Sequence, residues 1–386
     1  MKRRICMVVT NSLRKDPRVQ RETMAAVGAG YDVVVIGQMD KFYDEGFLRS
    51  LPYRVDLVRL GRRMDSTRNF FLRAIRSVYR FWSFVIKAVR ARPDLIHCND
   101  LNTLLQGWIT SRLTRCRIVY DSHEVNVPLG VKTLSRKQRM DKWREAFLIH
   151  KVNRVVCVSH AAAELIASHY GIEPLVVTNS SYRAKIDIAA GKETARFLVL
   201  YHGIMSSDRG YEEFVLSAAL LPERARLILR GYGPSEPALH RLVEEKGLGG
   251  KVEFAPPVEI KDLIIKAAES HLGVVLTKPA NVNYTFTVGN KVFEYINAGL
   301  PVLLSDVPEH RYLADTYGLG LVVKEVTPEC IAEAIIGLMT DEEKYRRLRD
   351  NAIKASEVLC WENESKKLTG LYAELLEAGA GGRGNT

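Results

Sequence analysis

A short run near residue 290 combines four residue types that together suit a phosphate-bearing ligand. Gly289, Asn290 and Lys291 stand where a loop meets a segment of helical spacing, and Glu294 follows one turn later. A loop that ends in Gly lets the backbone approach a ligand, Asn is a favourable N-cap, and a helix N-terminus attracts anions. Lys291 adds a positive charge, while Glu294 lies on the same face and could accept ribose hydroxyls. The run predicts a nucleotide diphosphate site; the alternative is an ordinary capped helix with a Lys–Glu pair.

The elements that must position this run are short apolar strands that alternate with helical segments. The strand-like runs include RICMVVT, YDVVVIG, DLIHCND, RIVYDSHE and RVVCVSH, and after residue 196 RFLVLYHG, ARLILRGYG, HLGVVLT and PVLLSD. Such alternation predicts βαβ units and parallel sheets. We therefore predict an α/β fold of two doubly wound Rossmann-like domains, 1–185 and 190–355, that face each other across a cleft. Ligands of such folds bind outside the carboxyl ends of the strands.

The composition is that of a soluble globular chain, with 47% apolar and 26% charged residues among 386. No apolar run approaches the roughly 20 residues that cross a bilayer. The apolar start, Ile5 to Val9, is short for a signal peptide and lacks a cleavage site, so it predicts a buried first strand. The six scattered cysteines have no metal-binding spacing and indicate reduced, mostly buried thiols of a cytosolic protein.

Charge is divided unevenly between the two halves. Residues 1–185 hold 33 Lys and Arg against 16 Asp and Glu, a net charge of +17, whereas the remainder has a net charge of −6. The cationic half predicts an anionic partner. Charge alone would allow nucleic acid, but no DNA- or RNA-binding module is recognisable, so no nucleic-acid partner is predicted.

Residues 66–92 form a strongly basic helical segment. An apolar stripe at helical spacing is predicted to face the core; it comprises Leu72, Ile75, Tyr79, Trp82, Ile86 and Val89. The row beside it comprises Arg73, Arg76, Arg80, Lys87 and Arg90, and beyond that row Phe70, Phe81 and Phe84 are predicted to be exposed. Exposed aromatics beside a cationic row suit an anionic membrane surface, which the basic segment 134–147 would extend. The alternative is a solvated face whose aromatics cover neighbouring loops.

The chain resembles the family 4 retaining glycosyltransferases, which have the two-domain GT-B fold. The resemblance spans nearly the whole chain and rests on motifs that follow one another in the family's order. They are SLRKDPRVQRETMAAVGAGYDVVVIG, PDLIHCND, IVYDSHE, YHGIMSSDRGYEEF, LILRGYGP, GNKVFEYINAGLPVLLSD and VLCWENESKKLTGLYAELL. The last motif implies a C-terminal helix, predicted over 356–378, that crosses back to the first domain.

The resemblance also implies roles for single residues. Glu294 corresponds to the second Glu of the family's paired-Glu motif, which holds the ribose, and His123 to a His near the reacting sugar; these two are the predicted catalytic residues. The predicted donor-binding residues are Gly203, Arg209, Gly289, Asn290, Lys291 and Glu294. Asn11, Ser12 and His97 are assigned to the acceptor side, although His97 fits a buried, satisfied His equally well. No DxD motif is present, and neither a metal nor a cofactor is predicted.

The chain departs from the family's pattern at two single positions and in the glycine-rich loop near the N-terminus, which is replaced by Asn11, Ser12 and Leu13. The first Glu of the pair, which normally binds hydroxyls of the donor sugar, is Phe286, and the Arg that usually follows Gly203 is Ile204. The second change removes one cation from the expected diphosphate site. Lys291 is a candidate replacement for that charge.

These observations predict a retaining, metal-independent glycosyltransferase. It would move a hexose-type sugar from a nucleotide-diphosphate sugar, expected to be a UDP-sugar, to a lipid-linked or cell-surface glycan acceptor. Its expected location is the cytoplasm, in peripheral contact with the anionic inner face of the cell membrane. Two alternatives stay open: a degenerate, non-catalytic GT-B binding protein, and a hydrolase or epimerase of nucleotide sugars.

Overall fold

The structure is a computed structural model that describes residues 2–39, 44–59, 70–125, 135–184, 195–278 and 282–378. The side chains of Lys15, Phe70 and Phe71 lie outside this description. The chain forms two compact units. The first comprises residues 1–158, 162–177 and 365–386, and the second comprises residues 159–161 and 178–364. The chain therefore enters the second unit at residue 178 and returns to the first at residue 365.

The first unit is built on a seven-stranded parallel sheet. Its strands are β1 (Arg4–Val8), β2 (Asp32–Gln38), β3 (Arg54–Val58), β4 (Leu95–Asn99), β5 (Arg117–Ser122), β6 (Arg154–Cys157) and β7 (Leu175–Val176). Their order is β3-β2-β1-β4-β5-β6-β7. Every residue of β4 is buried, as expected for a central parallel strand that is covered on both faces.

Six helices connect these strands within the described residues. They are α1 (Pro17–Gly28), α2 (Glu45–Ser50), α3 (Phe70–Ala91), α4 (Leu101–Thr114), α5 (Arg136–Leu148) and α6 (His160–Tyr170). Local sequence explains where they begin. The Asp16 carboxylate accepts a hydrogen bond from the Val19 backbone N–H and Pro17 is the first helical residue of α1, while Ser135 and Gln138 form a capping box at α5.

The second unit has a six-stranded parallel sheet. Its strands are β8 (Phe197–Ile204), β9 (Ala225–Tyr232), β10 (Val252–Ala255), β11 (Leu272–Val275), β12 (Val302–Ser305) and β13 (Gly320–Val323), in the order β10-β9-β8-β11-β12-β13. Alternate residues of β8 pack into two separate hydrophobic clusters, Val199 and Tyr201 in one and Leu200 in the other. The sheet is therefore covered on both faces, and the order reverses between β8 and β11.

The helices of the second unit follow the same alternation. They are α7 (Tyr211–Ser217), α8 (Glu236–Glu245), α9 (Ile260–Ala267), α10 (Val282–Phe286), α11 (Asn290–Asn297), α12 (Pro308–Tyr317), α13 (Pro328–Thr340) and α14 (Glu342–Val358). The last helix, α15 (Trp361–Ala378), starts in the second unit and continues into the first. Short 3-10 turns occupy Leu13–Lys15, Ile149–Lys151, Ser207–Arg209 and Ala218–Leu220.

These features confirm the predicted pair of doubly wound Rossmann-like domains. The prediction of mostly buried thiols is also confirmed, since all six cysteines are free and only Cys330 is not fully buried. Among the described helices, none combines the length and apolar character that crossing a membrane requires.

Helix α3 corrects the predicted orientation of the basic segment. The stripe predicted to face the core is exposed at Leu72, Ile75, Tyr79, Trp82 and Ile86, with about half of each side chain accessible. Phe84, predicted to be exposed, is only 1% exposed. The buried face instead comprises Phe84, Val85, Ala88 and Ala91, which lies opposite the exposed stripe at 100° per residue. Phe81 is half-buried, and the side chain of Phe70 lies outside the described residues.

Candidate functional site

The run from Gly289 to Glu294 forms the first turn of α11 in the second unit. Gly289 is the N-cap and no side chain caps the helix. The prediction that Asn290 would be the N-cap is wrong by one residue, because Asn290 is already helical and its side-chain oxygen accepts a hydrogen bond from Asn179 Nδ2 at 2.7 Å. Without a side-chain cap, the positive end of this helix is available to an anion.

Lys291 is a buried side chain without a counter-ion. It is 7% exposed, and its Nζ lies 4.8 Å from the ring centroid of Tyr201 and 5.7 Å from that of Tyr211. Within the described part of the chain, no carboxylate forms an ion pair with it. Burial, followed by the nearby Arg209, lowers the pKa of Lys291 to about 7, although Glu294 acts in the opposite direction.

Gly203, at the end of β8, makes room for the Lys291 stem. Its φ of +114° lies in a region that other residues rarely adopt. A Cβ atom at this position would lie 2.5 Å from Lys291 Cε. The predicted donor-site glycine therefore has two physical reasons to be Gly, its backbone conformation and its lysine neighbour.

Arg209 ends the short turn after β8 and brings a second cation to the same region. Its carbonyl oxygen accepts a hydrogen bond from Tyr201 Oη at 2.6 Å, and its guanidinium carbon lies 6.0 Å from the ring centroid of Tyr284. As with Lys291, no carboxylate of the described residues forms an ion pair with Arg209. Tyr201 therefore contacts both cations: its ring lies beneath Lys291, and its hydroxyl holds the backbone of Arg209.

Glu294 has a partner that the sequence did not reveal. Its Oε2 lies 2.7 Å from Nε2 of His202, a buried residue whose backbone N–H donates to Tyr295 Oη at 2.8 Å. Among the described residues, Nδ1 of His202 has no hydrogen-bond partner. His202 therefore fixes one carboxylate oxygen of Glu294 and leaves Oε1 for a ligand. The only sequence signal for His202 was its place at a strand end, directly before Gly203.

The first unit contains a different kind of charge cluster, at the carboxyl ends of β4 and β5. Arg18 Nη2 donates to both carboxylate oxygens of Asp121, at 2.6 and 2.9 Å, and Arg18 Nε donates to Glu22 Oε1 at 2.7 Å. His97 and His123 each bring Nε2 to Asp121 Oδ2, at 3.3 and 3.2 Å. Burial would raise the pKa of Asp121, but Arg18 and then His123 hold it well below its usual range.

His123, a predicted catalytic residue, is held by two carboxylates. Besides its contact with Asp121, its backbone N–H donates to Asp100 Oδ1 at 3.2 Å, and its Nδ1 lies 3.6 Å from Asp100 Oδ2. Burial and Arg18 lower the pKa of His123, but Asp121 and Asp100 overcome them and raise it to about 9. His123 is therefore an imidazolium at neutral pH.

His97 and the two polar residues after β1 stand in contrasting surroundings. His97 is fully buried, and its Nδ1 lies 2.8 Å from Tyr372 Oη on α15, so both ring nitrogens have partners. His97 was expected either on the acceptor side or as a buried residue with satisfied hydrogen bonds, and the structure shows it buried. Asn11 is exposed and Ser12 is half-buried; their assignment to the acceptor side stays a prediction.

Three residues of the first-unit cluster have the composition of a metal site. Glu22, His97 and Asp121 each offer a ligand atom, and these atoms lie within 4.8 Å of one another. Arg18 already binds both carboxylates, however, so its guanidinium takes the place that a metal cation would need. The prediction that the reaction requires no metal remains a prediction.

The structure describes the surroundings of both residues that depart from the family's pattern. Ile204 is exposed, directly after Gly203 at the end of β8. Phe286 is the last residue of α10, and its carbonyl oxygen accepts a hydrogen bond from Ser159 Oγ at 2.5 Å. Neither side chain supplies the charge that the family places there.

Comparison with known proteins identifies curated relatives of part of the chain and a solved structure that superposes on nearly all of it. The α-D-kanosaminyltransferase of Streptomyces kanamyceticus is 28% identical over 171 residues, which cover 41% of this chain and 40% of the relative. The GDP-mannose:cellobiosyl-diphosphopolyprenol α-mannosyltransferase of Xanthomonas oryzae is 27% identical over 190 residues, 48% of each chain. The matches thus span about half the length of these curated relatives or less. The structure of Anabaena HepE in complex with UDP and glucose superposes with a TM-score of 0.72 at 17% identity, over 96% of this chain and all of that one.

Two family models match consecutive parts of the chain. Residues 19–179 match the model of glycosyltransferase family 4, and residues 183–355 match that of the glycosyl transferases group 1. Together they include Glu22, His97, Asp121 and His123 of the first-unit charge cluster, but not Arg18. They also include all of the predicted donor-binding residues. The chain therefore belongs to the family 4 (group 1) glycosyltransferases and has their GT-B fold.

Proposed function

We propose that this protein transfers a hexose-type sugar from a nucleotide-diphosphate sugar to a lipid-linked or cell-surface glycan. The observation that carries the proposal is a pair of cations, Lys291 and Arg209, beside the uncapped start of α11; no carboxylate of the described residues pairs with either. Glu294 lies one turn further along the same helix. Cations for a diphosphate and a carboxylate for a ribose thus meet at the β8–β11 end of the second sheet, where its strand order reverses and where nucleotides bind in doubly wound folds.

In this proposal the same cations assist bond cleavage. As the bond between the sugar and the diphosphate breaks, negative charge builds up on the phosphate oxygens, and Lys291, Arg209 and the helix end stabilise it in place. The leaving diphosphate then takes the acceptor proton. Retention of configuration without a protein nucleophile is supported by family membership. His123, whose Nε2 is held by Asp121, would donate a hydrogen bond to a donor hydroxyl through Nδ1.

The named relatives support the donor and acceptor classes. Anabaena HepE binds UDP and glucose, which supports a UDP-sugar donor. The Xanthomonas relative uses GDP-mannose and a sugar linked to a diphosphopolyprenol, which supports a lipid-linked acceptor and makes GDP-sugars the second donor class to test.

Contact with an anionic membrane surface is part of the proposal. The face of α3 that would make this contact differs from the face that the sequence predicted. The exposed apolar stripe of Leu72, Ile75, Tyr79, Trp82 and Ile86 would enter the interface, and Arg73, Arg76, Arg80 and Lys87 beside it would meet lipid phosphates. Helix α5 adds exposed Trp143 and Phe147, whose rings stack at 5.7 Å. The location of this membrane face on the cytoplasmic side remains a prediction.

Nucleotide binding can be tested by thermal shift with UDP, GDP, ADP and dTDP. A ligand at a hundred times its Kd adds about 2.7 kcal/mol of stability. One nucleotide should raise the melting temperature of wild type and of the exposed control Glu244→Ala, but not of Glu294→Ala. An unchanged shift in Glu294→Ala would remove Glu294 from the site. No shift with any nucleotide would favour the degenerate binding protein.

Membrane contact can be tested by sedimentation with vesicles of phosphatidylglycerol and phosphatidylcholine. At low salt the wild type should sediment, and high salt should release it because ions screen the basic row. Replacement of Trp82 and Ile86 by Ser should abolish sedimentation, whereas the same change at Leu220, an exposed apolar residue of the second unit, should not. Equal sedimentation of the two variants would contradict the proposed face.

A further inference from the structure

The surroundings of Lys291 are unusual for an ammonium group. Aromatic rings of Tyr201 and Tyr211 lie against its Nζ, and the side chain is almost fully buried. Cation–π contacts offset only part of the loss of hydration on burial. An ammonium here lacks the counter-charge that buried cations normally require.

The charged and titratable groups around Lys291 do not supply that counter-charge. The turn after β8 contributes Arg209, a like charge that opposes protonation of Lys291. Helix α11 contributes Glu294, whose carboxylate is held by His202 of β8. The remaining groups are the phenols of Tyr201 on β8, Tyr211 on α7 and Tyr295 on α11, which are neutral near pH 7 because burial raises the pKa of each.

We propose that Lys291 takes up a proton when a nucleoside diphosphate binds beside it. The negative charge of the diphosphate supplies the missing counter-charge, which favours the ammonium form of the amine. The proton comes from the solvent, and no covalent bond changes. The geometry brings the amine close to the proposed diphosphate site, because Gly203 has no side chain to push it away: a Cβ at residue 203 would lie 3.2 Å from Nζ.

The pKa of about 7 for Lys291 in the free protein sets the expected pH dependence. Only the protonated fraction is ready to bind a diphosphate, and this fraction falls about tenfold for each pH unit above the pKa. The affinity for the nucleotide should therefore fall up to about tenfold per unit between pH 8 and 9. A lysine of ordinary pKa would give no fall in this range.

Proton uptake can be measured by titration calorimetry at about pH 8 with UDP, or with GDP if the thermal shifts select it. The heat is compared in HEPES and Tris, whose ionisation enthalpies differ. The free nucleotide is then fully ionised, since its terminal phosphate has a pKa of about 6, so uptake belongs to the protein. We expect close to one proton per nucleotide bound in wild type.

Two variants assign the proton to one side chain. Lys291→Met keeps the length of the stem but has no amine, so its binding should be weaker, without proton uptake and independent of pH between 8 and 9. Lys251→Met is the matched control, because Lys251 already has a counter-ion, Glu223, and is not part of the predicted donor site. This variant should retain the wild-type proton uptake.

Because the proposal rests on the proposed donor site, its failures must be told apart from failures of that site. Absence of nucleotide binding in wild type overturns the donor site and this proposal together. Binding with equal heats in the two buffers overturns only the proposal about Lys291, as does proton uptake that persists in Lys291→Met.

Discussion

Each unit of this protein buries a basic side chain, but the surroundings of the two side chains differ. In the first unit, Arg18 is buried between Asp121 and Glu22, and two histidines complete the network around the same carboxylate. In the second unit, Lys291 is as deeply buried but lies against aromatic rings, and no carboxylate in the described part of the chain pairs with it.

The difference distinguishes a buried charge that stabilises the fold from one that is expected to be stabilised by a bound ligand. A buried ion pair held by several hydrogen bonds keeps its geometry, and removal of one partner leaves a buried charge that has lost its counter-charge. A buried cation without a counter-ion destabilises the folded chain, and that destabilisation is relieved when an anion binds. The first arrangement is expected to set the geometry of His123 and the second to bind the diphosphate.

The largest expected effect is the loss of Arg18. Arg18→Met removes the guanidinium that contacts both Asp121 and Glu22, so the free energy of unfolding should fall by about 3–5 kcal/mol. Chemical denaturation monitors the loss. Arg346→Met is the control, because Arg346 forms an ion pair with Glu342 that is exposed to solvent and is therefore screened, so its loss should change stability little. Equal losses in the two variants would contradict a matched network in the first unit.

The loss of Lys291 should have the opposite sign. Because the pKa of Lys291 is lowered from its ordinary 10.5 to about 7 in the folded chain, the unfolded chain binds more protons between these values, and stability rises with pH there. Lys291→Met removes this penalty. It should stabilise the free protein below pH 7 on the order of 4 kcal/mol and by progressively less towards pH 10, while nucleotide affinity falls. A lower melting temperature than wild type at pH 6 would show that Lys291 has a counter-ion after all.

His123 should show the reverse pH dependence. Its pKa is raised from 6.5 to about 9, so its imidazolium stabilises the fold fully below pH 6.5 and loses that contribution as the pH rises through 9. The stability difference between wild type and His123→Gln should therefore be larger at pH 6 than at pH 10, by about 3 kcal/mol. Urea denaturation at the two pH values measures it. A difference independent of pH would mean that Asp121 does not hold His123 protonated.

The smallest expected effect concerns Gly203. Gly203→Ala should lose about 1–2 kcal/mol from backbone strain and should also weaken nucleotide binding, since its Cβ displaces Lys291 Cε. Gly247→Ala is matched to it, because Gly247 also has positive φ but no neighbour within 4 Å of a Cβ. Gly247→Ala should lose stability from the same backbone strain but should keep the wild-type affinity for the nucleotide. Equal affinities in the two variants, measured by calorimetry, would separate Gly203 from Lys291.

Local patterns predicted much of the fold and one side of the donor site. The alternation of apolar strands and helical segments gave both sheets, and the change from loop to helical spacing at Gly289 placed α11 within one residue. Lys291 and Glu294 follow from their spacing on that helix. Such signals depend on residues within a few positions of each other, where side chains and backbone interact directly.

Features that depend on distant residues were not predictable in this way. The partner of Glu294, His202, lies 92 positions away, and the partner of His97, Tyr372, lies 275 positions away. On α3, periodicity found an apolar stripe but assigned it to the wrong side, because Phe84, Val85 and Ala88 make the opposite face apolar as well. Packing against neighbouring elements decides between two such faces, and a single sequence does not record that packing.

The most direct test of the proposed donor site is hydrogen–deuterium exchange with and without the nucleotide that gives the thermal shift. The unpaired cations of the second unit predict slower exchange in peptides that cover residues 201–211 and 289–297, and unchanged exchange around Arg18 and Asp121 in the first unit. Protection confined to residues 1–177, with none at the start of α11, would contradict it.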